Sequence, residues 1–376
     1  MVVISDRIDF QAVTERETRA GPGWAGGSIP WRGDIGAAPD VCGSYLERLP
    51  LACIAVGIVE QAEIWHHQHQ GAPAPYTTAG SRLGYRAFAL DDTGPPFDNR
   101  AMIDFIRQFG APHVLVVYGL GVSTDLLDAC GNSVILYNSI DAPALRVPPV
   151  VSERFDLVLT GAPWQSAEVM ALHPDMRTAI MPVGPEFAAI DQFRPLDTHK
   201  DYDLIYVATA QPYKRHDILL DAFERLPRDV RGLCLFGYGE DADAIRARIA
   251  DRGLSIDCIG PPGVAIDEVN RLMNRTRFGV VCGRDDGAPA ILTEYMLAGL
   301  PVLANAELAC GTQYILPRTG MLAPPEDFAA AIMTMRETAA ALDPRTEVLA
   351  RWTWPHTIER LRPMIRDIAA EKRQGT

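Results

Sequence analysis

The chain has 376 residues, 48% hydrophobic and 22% charged, with a net charge of −13 at pH 7. At roughly 150 residues per domain this length predicts two or three domains, and the acidic balance excludes a general attraction to nucleic acid. The longest apolar run, Leu49–Val59, is too short to cross a bilayer. Seven scattered cysteines without a C-x-x-C pair indicate neither a zinc site nor a disulfide framework.

The opening MVVISDRIDF lacks the basic region of a signal peptide. Most cysteines lie in or beside apolar runs and read as small core residues in a reducing cytoplasm. Val2–Ser5 predicts a first strand. It leads into a loop over 21–33, where Gly26 and Gly27 suit either a close backbone approach to a ligand or a plain surface loop. Leu51–Glu60 predicts a buried helix opening on Pro50. Ala62–His67 is then a strand running into HHQHQ. Alternation puts His67 and His69 on one face and His66 on the other. With no further ligand cluster evident, a strand end lining a crevice is a better reading than a metal site.

The alternation continues with strand Tyr85–Leu90, helix Arg100–Gln108, strand Val114–Tyr118, helix Thr124–Ala129 and strand Ser133–Tyr137. Strand Phe155–Thr160, helix Trp164–Leu172 and strand Thr178–Pro182 follow. Such alternation predicts a parallel sheet covered on both faces. Residues 183–200 break the rhythm with Pro185 and Pro195 and read as a linker. A second series then runs through strand Asp203–Ala208, helix Asp217–Arg225, strand Gly232–Phe236, helix Ala242–Asp251, strand Ile256–Ile259, helix Asp267–Asn274 and strand Phe278–Cys282. Strand Val302–Ala304, a turn-and-helix segment over 319–335 and an amphipathic helix Trp352–Ile368 complete the chain.

Three stretches of the second series carry chemistry. GYGEDA (237–242) has the letters of a dinucleotide-binding turn, but it follows the second strand of its domain. The acidic residue expected about 20 positions later is absent near Ile259. The D-x-D pairs at 201–203 and 241–243 read as solvated carboxylates. Lys214, one of only three lysines, stands with Arg215 in the loop after the first strand, at the edge where open α/β sheets bind ligands. DDGAPAILTEYMLAGLPV (285–302) combines a strand end, acidic Asp285 and Asp286, Gly287 and a helix opening on Pro289. Its N-terminus should face the same edge and favour an anion. Two anion-seeking elements on one edge point to a diphosphate.

Taken in order, these segments resemble the GT-B glycosyltransferases of the large retaining family 4, also called glycosyl transferases group 1, over most of 178–368. MPVGPEFAAIDQFRPL resembles the family's hinge and VATAQPYKRHDILLDAF its donor-phosphate lysine loop. LFGYGED, CIGPP and IDEVNRLMNRTRFGVV fall in the expected order. DDGAPAILTEYMLAGLPVLAN resembles the E-x7-E signature, with Asp286 and Glu294 in the acidic places, and TGMLAPPEDFAAAI and RWTWPHTIERLRPMI complete the set.

The resemblance implies an α/β fold of two Rossmann-like domains facing a cleft. The acceptor domain would be 1–186 and the donor domain 187–350, with a 351–376 helix packing back toward the first. It implies that Lys214 contacts the donor diphosphate, with Arg215 and Gly237 nearby. The backbone of Gly287, Ala290, Ile291, Leu292 and Thr293 would cradle the same group. Glu294 would hydrogen-bond the ribose, Asp286 would face the transferred sugar, and the nucleobase would lie near Ile259 and Pro261. The activity implied is a metal-independent hexosyl or related transfer from a UDP- or GDP-sugar to a saccharide, lipid-linked saccharide or small molecule. The implied setting is cytoplasmic, with peripheral contact at the inner membrane face, although 1–186 carries 12 Arg against 21 Asp plus Glu and no polybasic run.

Departures from the family pattern are Thr209 where an Arg is usual, Asp286 for Glu and Pro289 for Gly. In the first domain Tyr118 stands at the position of a family His. Tyr118 is thereby a catalytic candidate, and Gly26, Gly27, His66, Tyr118 and Asn138 are the acceptor-side candidates. Two other readings are a nucleotide-sugar epimerase on the same architecture and a degenerate nucleotide-binding or scaffold protein.

Overall fold

The computed structural model describes residues 1–8, 45–68, 76–79, 82–91, 94–138, 142–188 and 190–374. It divides into two compact units. The described residues up to 188, joined by Trp354 onward, form the first, and Ile190–Thr353 form the second.

The first unit holds strands β1 (Val2–Ile8), β2 (Ala62–Gln68), β3 (Tyr76–Ala79), β4 (Leu83–Ala89), β5 (Val114–Tyr118), β6 (Val134–Asn138), β7 (Leu157–Thr160) and β8 (Arg177–Ile180). They form one sheet in the order β3-β4-β2-β1-β5-β6-β7-β8. All neighbours are parallel except β3, which runs antiparallel on β4. Alternate residues feed two separate cores. Val3, Ile64, Val116 and Leu136 pack on one face, and Val2, Ile4, Leu115, Val117 and Ile135 on the other. A central parallel strand must be apolar on both faces for this reason.

The helix Trp354–Gln374 covers the first of these faces with Trp354, Ile358, Leu361, Ile365 and Ile368. That is one stripe at the 3.6-residue period. Each fully buried aliphatic there contributes about 1.5–3 kcal/mol. Beside it lies a helix that differs from the sequence expectation, because it spans Tyr45–Ala55 and carries Pro50 inside rather than at its start. Pro50 forfeits one backbone bond. Leu46, Leu49, Leu51, Ala52, Cys53 and Ile54, all at most 2% exposed, offset that loss by packing on the sheet.

The second unit contains β9 (Tyr202–Val207), β10 (Gly232–Leu235), β11 (Ile256–Ile259), β12 (Thr276–Val281), β13 (Val302–Asn305) and β14 (Gly320–Ala323). They form an all-parallel sheet in the order β11-β10-β9-β12-β13-β14. Counted within the unit this is 3-2-1-4-5-6, the doubly wound order whose switch point lies between β9 and β12. Leu204, Tyr206, Phe236, Phe278, Val280 and Phe328 anchor its core. Of the segment expected as a linker, the part from Ile190 onward is ordered on this unit, whereas Val183–Glu186 forms a short helix of the first. Arg194 and Leu196 donate their N–H groups to the side-chain oxygens of Asn270 (3.1 Å) and Asn274 (2.7 Å). β14, which the sequence reading passed over as a turn, buries only Ala323 of its four residues, so it shows no strand alternation. No described helix is long and apolar enough to cross a membrane.

Candidate functional site

The switch point of the second unit is where its chemistry gathers. β9 pairs with β12 as far as Ile205 opposite Gly279. Beyond that the strands part, and a side chain fills the gap. Tyr295, fully buried, accepts the Val207 N–H at 2.7 Å and donates to the Ile205 carbonyl at 3.2 Å. Gly279 makes this possible, since a Cβ there would lie 2.4 Å from the Tyr295 ring. The tyrosine thereby pins the helix Ile291–Leu297 against the sheet, and the preceding residue, Glu294, reaches a cavity at the carboxyl ends of the strands.

That cavity, about 200 Å³, is lined by Thr209, Leu235, Gly237, Val264, Ile291 and Glu294 among others. A largely apolar wall with a few convergent polar groups is the usual form of a small-molecule site. The loop after β10 is zipped onto the loop after β9. Ala210 N–H donates to the Tyr238 carbonyl at 2.7 Å, and Asp241 N–H to the Ala210 carbonyl at 2.9 Å. Gly239, at φ 134°, sits where a Cβ would come within 2.1 Å of that carbonyl oxygen. GYGED is thus a packing device that sets Gly237 at the cavity wall.

The cations stand on the loop after β9. Pro212–Lys214 forms a 3₁₀ turn, and the buried Tyr206 hydroxyl donates to the Lys214 carbonyl at 2.5 Å. The Lys214 ammonium is ion-paired with the Asp286 carboxylate, the two side chains being 17% and 11% exposed, and it lies 4.9 Å from the Tyr213 ring centroid. Burial pulls the Lys214 pKa down, but Asp286, Tyr213 and Tyr238 together outweigh it and leave the group above the ordinary lysine value. Arg215 is paired with Asp217 at 2.8 Å. His216 is buried between Tyr206 and Phe236. Burial, with Lys214 beside it, pushes its pKa down to about 4.

The fold brings Lys214 and Asp286 into contact and sets Gly237, Ile291 and Glu294 around one cavity. Gly287 is buried, and Ala290 is the cap residue of the helix. The N–H groups of Leu292, Thr293 and Glu294 are spent on the carbonyls of Pro289 and Ala290. This narrows the expected cradle to Gly287, Ala290 and Ile291. Ile259 and Pro261 do not line the cavity, whereas Gly263 and Val264, just beyond, do.

In the first unit, Gly26, Gly27 and His69 lie outside the described residues. His66, Tyr118 and Asn138 are 3%, 1% and 0% exposed. Tyr118 shares a hydrophobic cluster with Met181, Val183 and Phe187, and Asn138 accepts the Val183 N–H at 3.2 Å. The chain after β8 folds over Tyr118 and Asn138, so these two strand ends, like the buried His66, offer a ligand little surface. Sequence reasoning passed over Tyr295 and Val264, and it named Thr209 only as a departure from the family pattern, whereas Thr209 lines the cavity. For Tyr295 a signal existed, because a lone glycine inside a strand, here Gly279, marks a close approach.

Residues 189–340 match the family model described as glycosyl transferases group 1. No curated protein matches the sequence. Among solved structures, sucrose-phosphate synthase from Thermosynechococcus elongatus is 14% identical with a TM-score of 0.67, over 98% of this chain and 99% of that one. Anabaena HepE in complex with UDP and glucose is 12% identical with a TM-score of 0.63, over 97% and 99%. Staphylococcus aureus TarM is 13% identical with a TM-score of 0.59 over 70% of this chain, which spans 57% of TarM's length. The chain therefore has the two-domain α/β fold of the GT-B glycosyltransferase structures, and its second unit carries the match to glycosyl transferases group 1.

Proposed function

We propose that the protein is a retaining glycosyltransferase that moves a hexosyl or related sugar from a nucleoside diphosphate to the hydroxyl of a saccharide, lipid-linked saccharide or small molecule. The observation that carries this reading is the arrangement at the switch point. A half-buried lysine on the loop after β9 meets an aspartate on the loop after β12, and Thr209 and Ile291, a few residues from each, line the cavity that Glu294 completes.

In this reading the cavity takes the nucleoside, with Glu294 accepting hydrogen bonds from the ribose hydroxyls. Lys214 binds the diphosphate and stabilises the charge that develops on it as the glycosidic bond breaks. A fixed cation in a water-poor site is effective there because it needs no reorganisation during the reaction. Asp286 faces the hydroxyls of the transferred sugar. The acceptor oxygen attacks from the side the leaving group departs, and its proton passes to the leaving phosphate, which preserves the anomeric configuration without a protein nucleophile or a metal. HepE and TarM were each solved with UDP, which supports UDP or a related diphosphate as the donor's nucleotide. The first unit is proposed as the acceptor-binding one.

The test is a thermal-shift screen of nucleotides and nucleotide sugars on the full chain. A ligand at a hundred times its Kd stabilises the native state by about 2.7 kcal/mol, so one diphosphate and its sugar should raise Tm well above the rest. Silence across UDP, GDP, ADP, TDP and their sugars refutes the reading.

A further inference from the structure

Both cations on the loop after β9 already have carboxylate partners, Lys214 with Asp286 and Arg215 with Asp217. The local charge of that patch is therefore balanced before any ligand arrives. Arg215–Asp217 is a half-exposed surface pair, side chains 33% and 48% exposed, which water can replace at little cost. Lys214–Asp286 is not. At 17% and 11% exposure neither group can be abandoned to a poorly hydrated setting without a large penalty. A diphosphate that takes Lys214 must leave the Asp286 carboxylate something else to accept from.

We infer that Asp286 is a built-in counter-ion that competes with the diphosphate for Lys214, so that the site holds the sugar-bearing donor and expels the bare nucleoside diphosphate. The inference rests on the donor-site reading above. While the sugar is present, its hydroxyls donate to Asp286 and compensate the carboxylate for the lysine it has lost. Once the sugar has gone, the carboxylate has neither partner. Once the proton taken from the acceptor has passed on to water, the product also carries one more negative charge on its terminal phosphate, close to that carboxylate. Re-forming the Lys214–Asp286 pair then favours departure of the product, and Asp286 acts on both donor selectivity and turnover.

The experiment is calorimetric titration of wild type, Asp286→Asn and Asp286→Glu with uridine, guanosine, UDP, GDP and the corresponding sugar nucleotides, with stopped-flow measurement of diphosphate release. Asp286→Asn should bind the preferred diphosphate at least about tenfold more tightly, with slower release, because an anionic competitor a few ångströms away has been removed. Its affinity for the nucleoside should be unchanged, and its affinity for the sugar nucleotide should gain less than that for the diphosphate. Asp286→Glu, which keeps the charge, should show neither the tighter diphosphate binding nor the slower release of Asp286→Asn. Diphosphate affinity of Asp286→Asn within twofold of wild type, or an equal gain for the nucleoside, overturns the inference. If Asp286→Asn is too unstable to titrate alone, diphosphate must raise its Tm further than it raises that of wild type, and an equal rise overturns the inference. Failure of the wild type to bind either nucleoside or diphosphate would instead remove the donor-site reading itself.

Discussion

The hydroxyl of Tyr295 is the most directly testable link between the sheet and the site. Tyr295→Phe keeps the ring that packs on Gly279 and deletes only the oxygen that accepts the Val207 N–H and donates to the Ile205 carbonyl. The side chain is fully buried, so water cannot replace the lost group. A buried donor left unsatisfied costs about 1–3 kcal/mol, and a loss of about 2 kcal/mol is expected for the second unit. Urea denaturation followed by circular dichroism reads this as a lower midpoint at unchanged slope. The neighbouring Glu294 should lose its fixed position at the cavity, so the donor KM should rise several-fold while the fold persists. A stability loss below about 0.5 kcal/mol would refute the anchoring role, since surface-like changes fall in that range. A full loss of stability with unchanged donor KM would refute the coupling to Glu294.

Lys214→Ala should lower kcat/KM about 10²–10³-fold, the scale of losing one electrostatic donor to the transition state; near wild-type turnover in a coupled diphosphate-release assay would remove the lysine from the mechanism. Glu294→Ala should raise the donor KM about tenfold or more, as expected for a charged hydrogen-bond partner, and an unchanged value excludes the ribose contact. Activity should persist in excess EDTA, whereas loss restored by Mg²⁺ or Mn²⁺ would rule out metal-independent transfer. His216 is held neutral in the fold at a pKa of about 4, against about 6.5 in the unfolded chain. As pH falls from 6.5 to 4 the unfolded state gains a proton that the folded state refuses, so stability declines across that window, by about 3 kcal/mol at most. His216→Phe should flatten that decline in a plot of Tm against pH, and identical acid limbs would show that His216 does not contribute.

Much of the second unit could be read from local pattern, because buried parallel strands are short apolar runs and the turns after them carry Gly, Pro and charge. Lys214, Asp286 and Glu294 were visible for that reason. Their spacing after two strands puts them on one sheet edge whatever the details of packing. The elements that escaped were those whose signal is tertiary. β3 and β14 are four-residue edge strands, and β14 shows no alternation in burial. The helix Tyr45–Ala55 runs through Pro50 only because its neighbours on both sides are buried. Tyr118 and Asn138 close strand ends, which made them look accessible. The chain after β8 folds over them, and no local pattern announces that.

The sequence by itself determined the α/β class, the two strand–helix series and the identity of the charged residues at the donor edge, because each depends on periodicity and spacing along the chain. Only the tertiary structure decided that Lys214 is already paired with Asp286, that Tyr295 rather than backbone fills the switch point, and which wall Glu294 completes. These depend on which side chains a folded sheet brings within about 3 Å; Gly279 marks that something approaches its strand closely, but which of the residues 72 or 88 positions apart in the chain meet is fixed only when the strands between them have paired.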